Sequence, residues 1–342
     1  MPSPPVSNTV TEKLEQQKEF EQANSEHAVS ISLLNETLKA TPNPIGLSTA
    51  DLVNVLYIAL NIVSSVGIVM TNKWVFKGLK FEFGTLLTVV HFVVTFIGLE
   101  ICAMFKVFER KRIPIAKMIP ISACFCGFVV LTNLSLQHNT VGFYQISKVL
   151  TTPCVVLIQT IFYNMKFSTV IKLAVIVTCV GVVITSFTDV EVNFIGTVYA
   201  MTGVVVTSLY QILIGTKQRE LEVNSMQLLY YQAPLSALML LLAVPFLDDM
   251  HKLRAYSMSI EALSMILLSG FMAFFVNLSI FLVIGKTSAV AYNMVGHFKT
   301  CIILITGFTV FGQAVDLKNI FGILVTLSGV FWYSHISLKN RK

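Results

Sequence analysis

Residues 260–284 read IEALSMILLSGFMAFFVNLSIFLVI, and this stretch decides the fold class. It carries one charge, Glu261, near its start. A helix on the surface of a water-soluble domain would set an apolar stripe against a charged face. Here apolar residues occupy every face. As a helix the stretch is long enough to cross the roughly 30 Å of hydrocarbon in a bilayer. Peptide groups find no water there and must pair within the segment, which a helix achieves.

Outward from this segment, nine more runs of similar character predict spans at 51–73, 84–105, 117–137, 141–163, 171–188, 194–214, 226–247, 288–311 and 318–337. The whole chain is 55% apolar and 12% charged, with a mean hydropathy of +0.75. Globular proteins carry about 25% charged residues, so the balance is that of a membrane protein. The spans are expected to form a single bundle. The breaks at 138–140 and 189–193 are short, and Asp189 and Glu191 mark the second. Residues 1–49 are polar, with Glu12, Glu15, Glu19, Glu21, Glu26 and Glu36, and contain no apolar signal-peptide core. They predict a disordered cytosolic tail, with a short second tail at 338–342.

Basic residues in short loops set orientation. One side collects Lys106, Arg110, Lys111, Arg112, Lys117, Lys166, Lys172, Lys217, Arg219, Lys286, Lys339, Arg341 and Lys342, and the other Lys77, Lys80, Lys252, Arg254 and Lys318. A bias of thirteen to five places both termini in the cytosol, which requires an even number of spans. The chain also repeats itself. Val177-Thr178-Cys179-Val180-Gly181-Val182 matches Val325-Thr326-Leu327-Ser328-Gly329-Val330 at an offset of 148 residues. Asn133-Leu134-Ser135 returns as Asn277-Leu278-Ser279, and Lys148 has a counterpart in Lys299. The reading is therefore an all-α membrane protein of ten transmembrane helices in two five-helix repeats, about 50–190 and 191–337. Five is odd, so the repeats run in opposite senses, an arrangement that places carrier sites near the midplane.

Few ionisable side chains remain inside the spans: Lys148, Lys299, Lys73, Glu100, His91 and His297. A lysine at the centre of an isolated span costs about 2.5–3.5 kcal/mol, so it needs a partner or a water-filled cavity. Glu100 lies near the cytosolic end of its span, leaving an excess of positive charge that a mobile anion would balance. Tyr144 and Gln145 share a helical face with Lys148, and Tyr292 and Gly296 share one with Lys299, with Asn293 and His297 beside it. Aromatic rings beside a cation suit a ligand with a base or sugar and a phosphate. Small residues, Asn133, Asn277 and His91 serve helix packing in the simpler reading. The six cysteines lie in apolar segments and read as small buried hydrophobes. No metal-ligand spacing, Gly-rich phosphate loop or catalytic grouping is present in the sequence, so no enzyme, cofactor, metal or nucleic-acid partner is expected. The lipid bilayer and a small anionic substrate are the expected partners, with a homodimer left open.

Asn72-Lys73-Trp74, Thr132-Asn133-Leu134-Ser135-Leu136-Gln137, Tyr144-Gln145-Ile146-Ser147-Lys148, the stretch Asn224 to Pro234 (NSMQLLYYQAP) and Gly296-His297-Phe298-Lys299-Thr300 resemble solute carrier family 35, subfamily E. That family belongs to the nucleotide-sugar and triose-phosphate branch of the drug/metabolite transporters, and the resemblance covers residues 50–337. It implies a ten-helix inverted-repeat antiporter in the Golgi or endoplasmic reticulum membrane. Its two phosphate-binding lysines map onto Lys148 and Lys299. Thr300 follows the second, as in plant UDP-galactose, UDP-rhamnose and UDP-xylose carriers, where plastid translocators have Arg. GDP-mannose carriers show F-Y-N-N and G-A-L-N-K motifs, from which Tyr230-Tyr231-Gln232 and Gly296-His297-Phe298-Lys299 depart. The expected activity is exchange of a nucleotide sugar, a UDP-sugar by preference, for a nucleoside monophosphate. Sugar-phosphate exchange and a non-transporting receptor or scaffold are the alternatives. The expected substrate contacts are Lys148, Lys299, Tyr144, Gln145, Tyr292, Asn293, Tyr230, Tyr231, Gln232, Lys73 and Thr300.

Overall fold

The computed structural model describes residues 49–138, 143, 147–186, 193–311 and 317–339. Residues 1–48 and 340–342, most of the expected tails 1–49 and 338–342, and the candidate site residues Tyr144 and Gln145 lie outside the described residues. The chain divides after Val53, and everything below concerns the unit Asn54–Lys342.

The described residues hold α1 (Thr49–Lys73), α2 (Gly84–Met104), α3 (Ile115–His138), α4 (Thr151–Phe162), α5 (Thr169–Ser186), α6 (Phe194–Glu220), α7 (Ser225–Leu247), the short α8 (Met250–Ala255), α9 (Ile260–Lys286), α10 (Ala289–Phe311) and α11 (Leu317–Lys339). Each apart from α8 falls on an expected span. Seven of the described segments are long and apolar enough to cross a membrane, and two shorter apolar helices accompany them at Ser147–Phe162 and Thr169–Ile184. The chain is an integral multi-pass membrane protein.

Helix ends show why the elements start and stop where they do. Asn224 and Gln227 close a reciprocal capping box at the start of α7, and Ser259 accepts from the Ala262 amide at the start of α9. The start of α2 lacks a side-chain cap of its own. Its Thr85 and Leu86 amides donate instead to Asp248, which follows α7, at 3.2 and 2.8 Å. At the other end of the same pair, Lys111 donates to the carbonyls of Leu221 and Glu222, the exit of α6, and Gln227 donates to the Glu109 carbonyl. The sequence reading missed two features: α8 and the π-helical turn Trp74–Gly78 that ends α1. Asp249 caps α8, and the Lys252 backbone N–H bonded to its carboxylate holds that group below the ordinary aspartate range.

Packing follows membrane rules, in which small residues let helices approach. The tightest crossing joins α5 and α11 at the repeated motif. A Cβ on Gly181 would stand 2.4 Å from the Thr326 nitrogen, and one on Gly329 would stand 2.4 Å from the Thr178 hydroxyl. No side chain fits at either place. Gly181 faces Thr326 while Thr178 faces Gly329, so the two helices cross antiparallel. One apolar core joins α2, α3, α6, α7 and α9, including Phe92, Phe125, Leu228 and Phe281. A second joins α4, α5, α10 and α11, including Val155, Val175, Met294 and Val330. Helix α6 contributes to both.

Candidate functional site

A cavity of about 350 Å³ is lined by residues of α1, α3, α5, α6, α9 and α10 and of the Ser147–Phe162 segment. That size falls within the range of small-molecule sites. Lys148 and Lys299, far apart in sequence, both line it, and so do Tyr292, Asn293, Gly296 and Thr300. The rest of the wall mixes aliphatic residues such as Ile68, Val204 and Ile280 with the aromatic and polar Phe125, Phe128, Tyr199, Tyr210 and Gln211. Among the described residues a Cβ on Gly296 would meet nothing within 4 Å, so this glycine leaves space in the cavity and not at a helix contact.

Lys148 projects from the start of the Ser147–Phe162 helical segment and is solvent-exposed. Lys299 is half-buried in the middle of α10. Its ammonium donates to the Asn61 side-chain oxygen at 2.8 Å and the Ser65 hydroxyl at 3.2 Å, both from α1. It also lies over the Tyr292 ring, 5.3 Å from the centroid. Among the described residues four ion pairs form, and none of them includes Lys299. The partners of this cation are therefore dipoles and a ring face, which hold it in place without cancelling its charge.

Beside the lysines, Asn293 donates to Gln211 across α10 and α6 at 2.8 Å. His297 shares a 2.8 Å hydrogen bond with Thr152, tying α10 to α4. The Thr300 hydroxyl donates to the Gly296 carbonyl. The remaining described candidates, Tyr230, Tyr231, Gln232 and Lys73, are not among the residues lining this cavity. Tyr230 donates to Glu100 beside Arg110, and Tyr231 packs edge-on against Tyr230. Gln232 is fully buried one layer behind the wall, where it donates to the Tyr210 hydroxyl at 3.2 Å. Lys73 sits exposed at the end of α1. Sequence reasoning missed Asn61, Ser65, Tyr210 and Gln211. An asparagine inside an apolar run is a weak signal, because the same residue type also serves packing: Asn277 donates to Thr95 between α9 and α2. His91 likewise pairs with Ser269 at 2.8 Å.

Across residues 52–334 the chain matches the Triose-phosphate Transporter family. The protein belongs to that family. Relatives from Arabidopsis thaliana include UDP-xylose transporter 3, 38% identical over 281 residues that span 81% of this chain and 79% of that one. UDP-xylose transporter 1 is 39% identical over 279 residues, covering 81% and 82% of the two chains. UDP-rhamnose/UDP-galactose transporter 2 is 37% identical over 281 residues, 81% of each chain. A solved crystal structure of a protein with 11% identity superimposes with a TM-score of 0.67, over 84% of this chain and 99% of the other, and so shares its fold.

Proposed function

We propose that this family member exchanges a nucleotide sugar, a UDP-sugar by preference, for a nucleoside monophosphate by alternating access. The observation that carries the reading is the meeting of Lys148 and Lys299 in one cavity lined by tyrosines. Two cations beside one space, one of them half-buried, attract an anion. A monophosphate carries about −1.5 to −2 charges near neutral pH, enough to balance the pair. The aromatic and amide wall of Tyr210, Gln211, Tyr292 and Asn293 offers stacking and hydrogen bonds to a base or sugar, and Thr300 supplies a hydroxyl beside Lys299. The names of the Arabidopsis relatives favour UDP-sugars as cargo.

Exchange follows from charge. A loaded cavity is near neutral, whereas an empty one carries positive charge across the membrane centre, where ions are costly. The return step is then faster with an anion aboard. The antiparallel crossing at Gly181 and Gly329 supports two inverted five-helix repeats, because matched residues exchange partners there as a two-fold axis requires. With both termini in the cytosol, as the basic loops favour, the carrier would serve the Golgi lumen.

The test is uptake into proteoliposomes preloaded with UMP, GMP, CMP or inorganic phosphate, against a panel of nucleotide sugars and sugar phosphates. Stimulation of a UDP-sugar by internal UMP supports the reading. Stimulation by phosphate alone would move the assignment to sugar phosphates.

A further inference from the structure

The Lys299 ammonium has three N–H donors, and two of them are held by α1. Of the two acceptors, Asn61 has the better-defined geometry. It is fully buried in the middle of α1. Its amide nitrogen donates to the Ser279 hydroxyl of α9 at 2.8 Å. Ser279 in turn donates its only proton to the Val276 carbonyl at 2.9 Å, so toward Asn61 it can only accept. This chain leaves Asn61 one orientation, with the nitrogen toward α9 and the oxygen toward Lys299. A single amide thus joins three helices, α1, α9 and α10, at the substrate-facing cation.

What the amide withholds matters as much as what it gives. It satisfies a donor but carries no net charge, so it supplies Lys299 with no counterion when the cavity is empty. A carboxylate at the same place would orient the lysine equally well and would neutralise it. Aspartate is nearly isosteric with asparagine, so sterics do not forbid the charged version.

Resting on the exchange reading above, we infer that Asn61 is the positioning residue that makes transport by this protein an obligatory exchange. It aims Lys299 into the cavity while refusing to be its counterion, and the anion of the substrate must fill that role before the carrier can turn over.

The experiment compares wild type with Asn61→Asp in UMP counterflow, reading uptake of labelled UMP into liposomes with and without internal UMP. Wild type should show uptake stimulated about tenfold or more by internal UMP, within the range typical of coupled sites. In Asn61→Asp that stimulation should fall toward one, through faster entry into empty vesicles, and the KM for UMP should rise. A purely structural role would lower the maximal rate with both vesicle types alike and leave their ratio unchanged. Should Asn61→Asp not fold, Ser65→Asp places a carboxylate on the second acceptor of the same ammonium, and the same loss of stimulation is expected. An unchanged stimulation ratio and KM in a folded aspartate variant would overturn the assignment of Asn61. A wild-type protein that shows no stimulation by internal UMP would overturn the exchange reading itself, and this inference with it.

Discussion

Two pairs of helices, each pair built from counterparts about 150 residues apart in sequence, behave in opposite ways. At the α5–α11 crossing, glycines bring backbone against backbone, and even one added carbon would meet Thr326 or Thr178 at 2.4 Å. The α4–α10 pair carries its glycine, Gly296, facing open space, with the two lysines lining the same space. Small residues in a membrane span therefore mark either of two things, a place where helices must touch or a place where a ligand must fit. Only the three-dimensional surroundings separate them. One pair holds the scaffold, and the other lines the cavity to which we assign substrate binding.

The comparison breaks most visibly if the crossing tolerates a side chain. Gly181→Leu or Gly329→Leu should cost about 3 kcal/mol or more by forcing the helices apart, seen as loss of monodisperse protein in detergent. Gly296→Leu sharpens the contrast. It should leave thermal stability within about 1 kcal/mol of wild type, because nothing is displaced, while uptake in proteoliposomes drops about tenfold as the cavity fills. Smaller again is Asn277→Ala, which removes an interhelical hydrogen bond to Thr95 and should lower stability by about 0.6 kcal/mol with transport retained. Glu100→Gln should do least. Its ion pair with Arg110 lies at an exposed helix end, where many such pairs contribute only about 0.2 kcal/mol or nothing measurable.

Much of the fold was legible because hydrocarbon thickness imposes a length on every apolar run. The segments read at 84–105, 226–247 and 260–284 match α2, α7 and α9 to within two residues at each end. The short α8 and the π-helical turn at Trp74 escaped because they lie at the span ends, where polar and apolar residues mix and no periodicity develops. Lys148 and Lys299 stood out because a charge in an apolar run is costly without a reason. Asn61 and Gln211 did not, since neutral amides are cheap enough in spans to serve packing alone. The stretch Tyr230-Tyr231-Gln232 is among the substrate contacts expected from the sequence. Its tyrosines sit instead beside Glu100 and Arg110, and Gln232 supports Tyr210 from behind. No residue of that helix is among those lining the cavity, and Gln232 reaches the wall only through Tyr210.

The most direct test of the account is uptake of a UDP-sugar into UMP-loaded proteoliposomes by Lys299→Ala and Lys148→Ala, with thermal stability measured on the same preparations. In the proposed reading each lysine supplies charge-assisted contacts to the anion, so each variant should lose about a hundredfold in flux while melting at or above the wild-type temperature. Wild-type flux in either folded variant would contradict the claim that the two lysines hold the substrate.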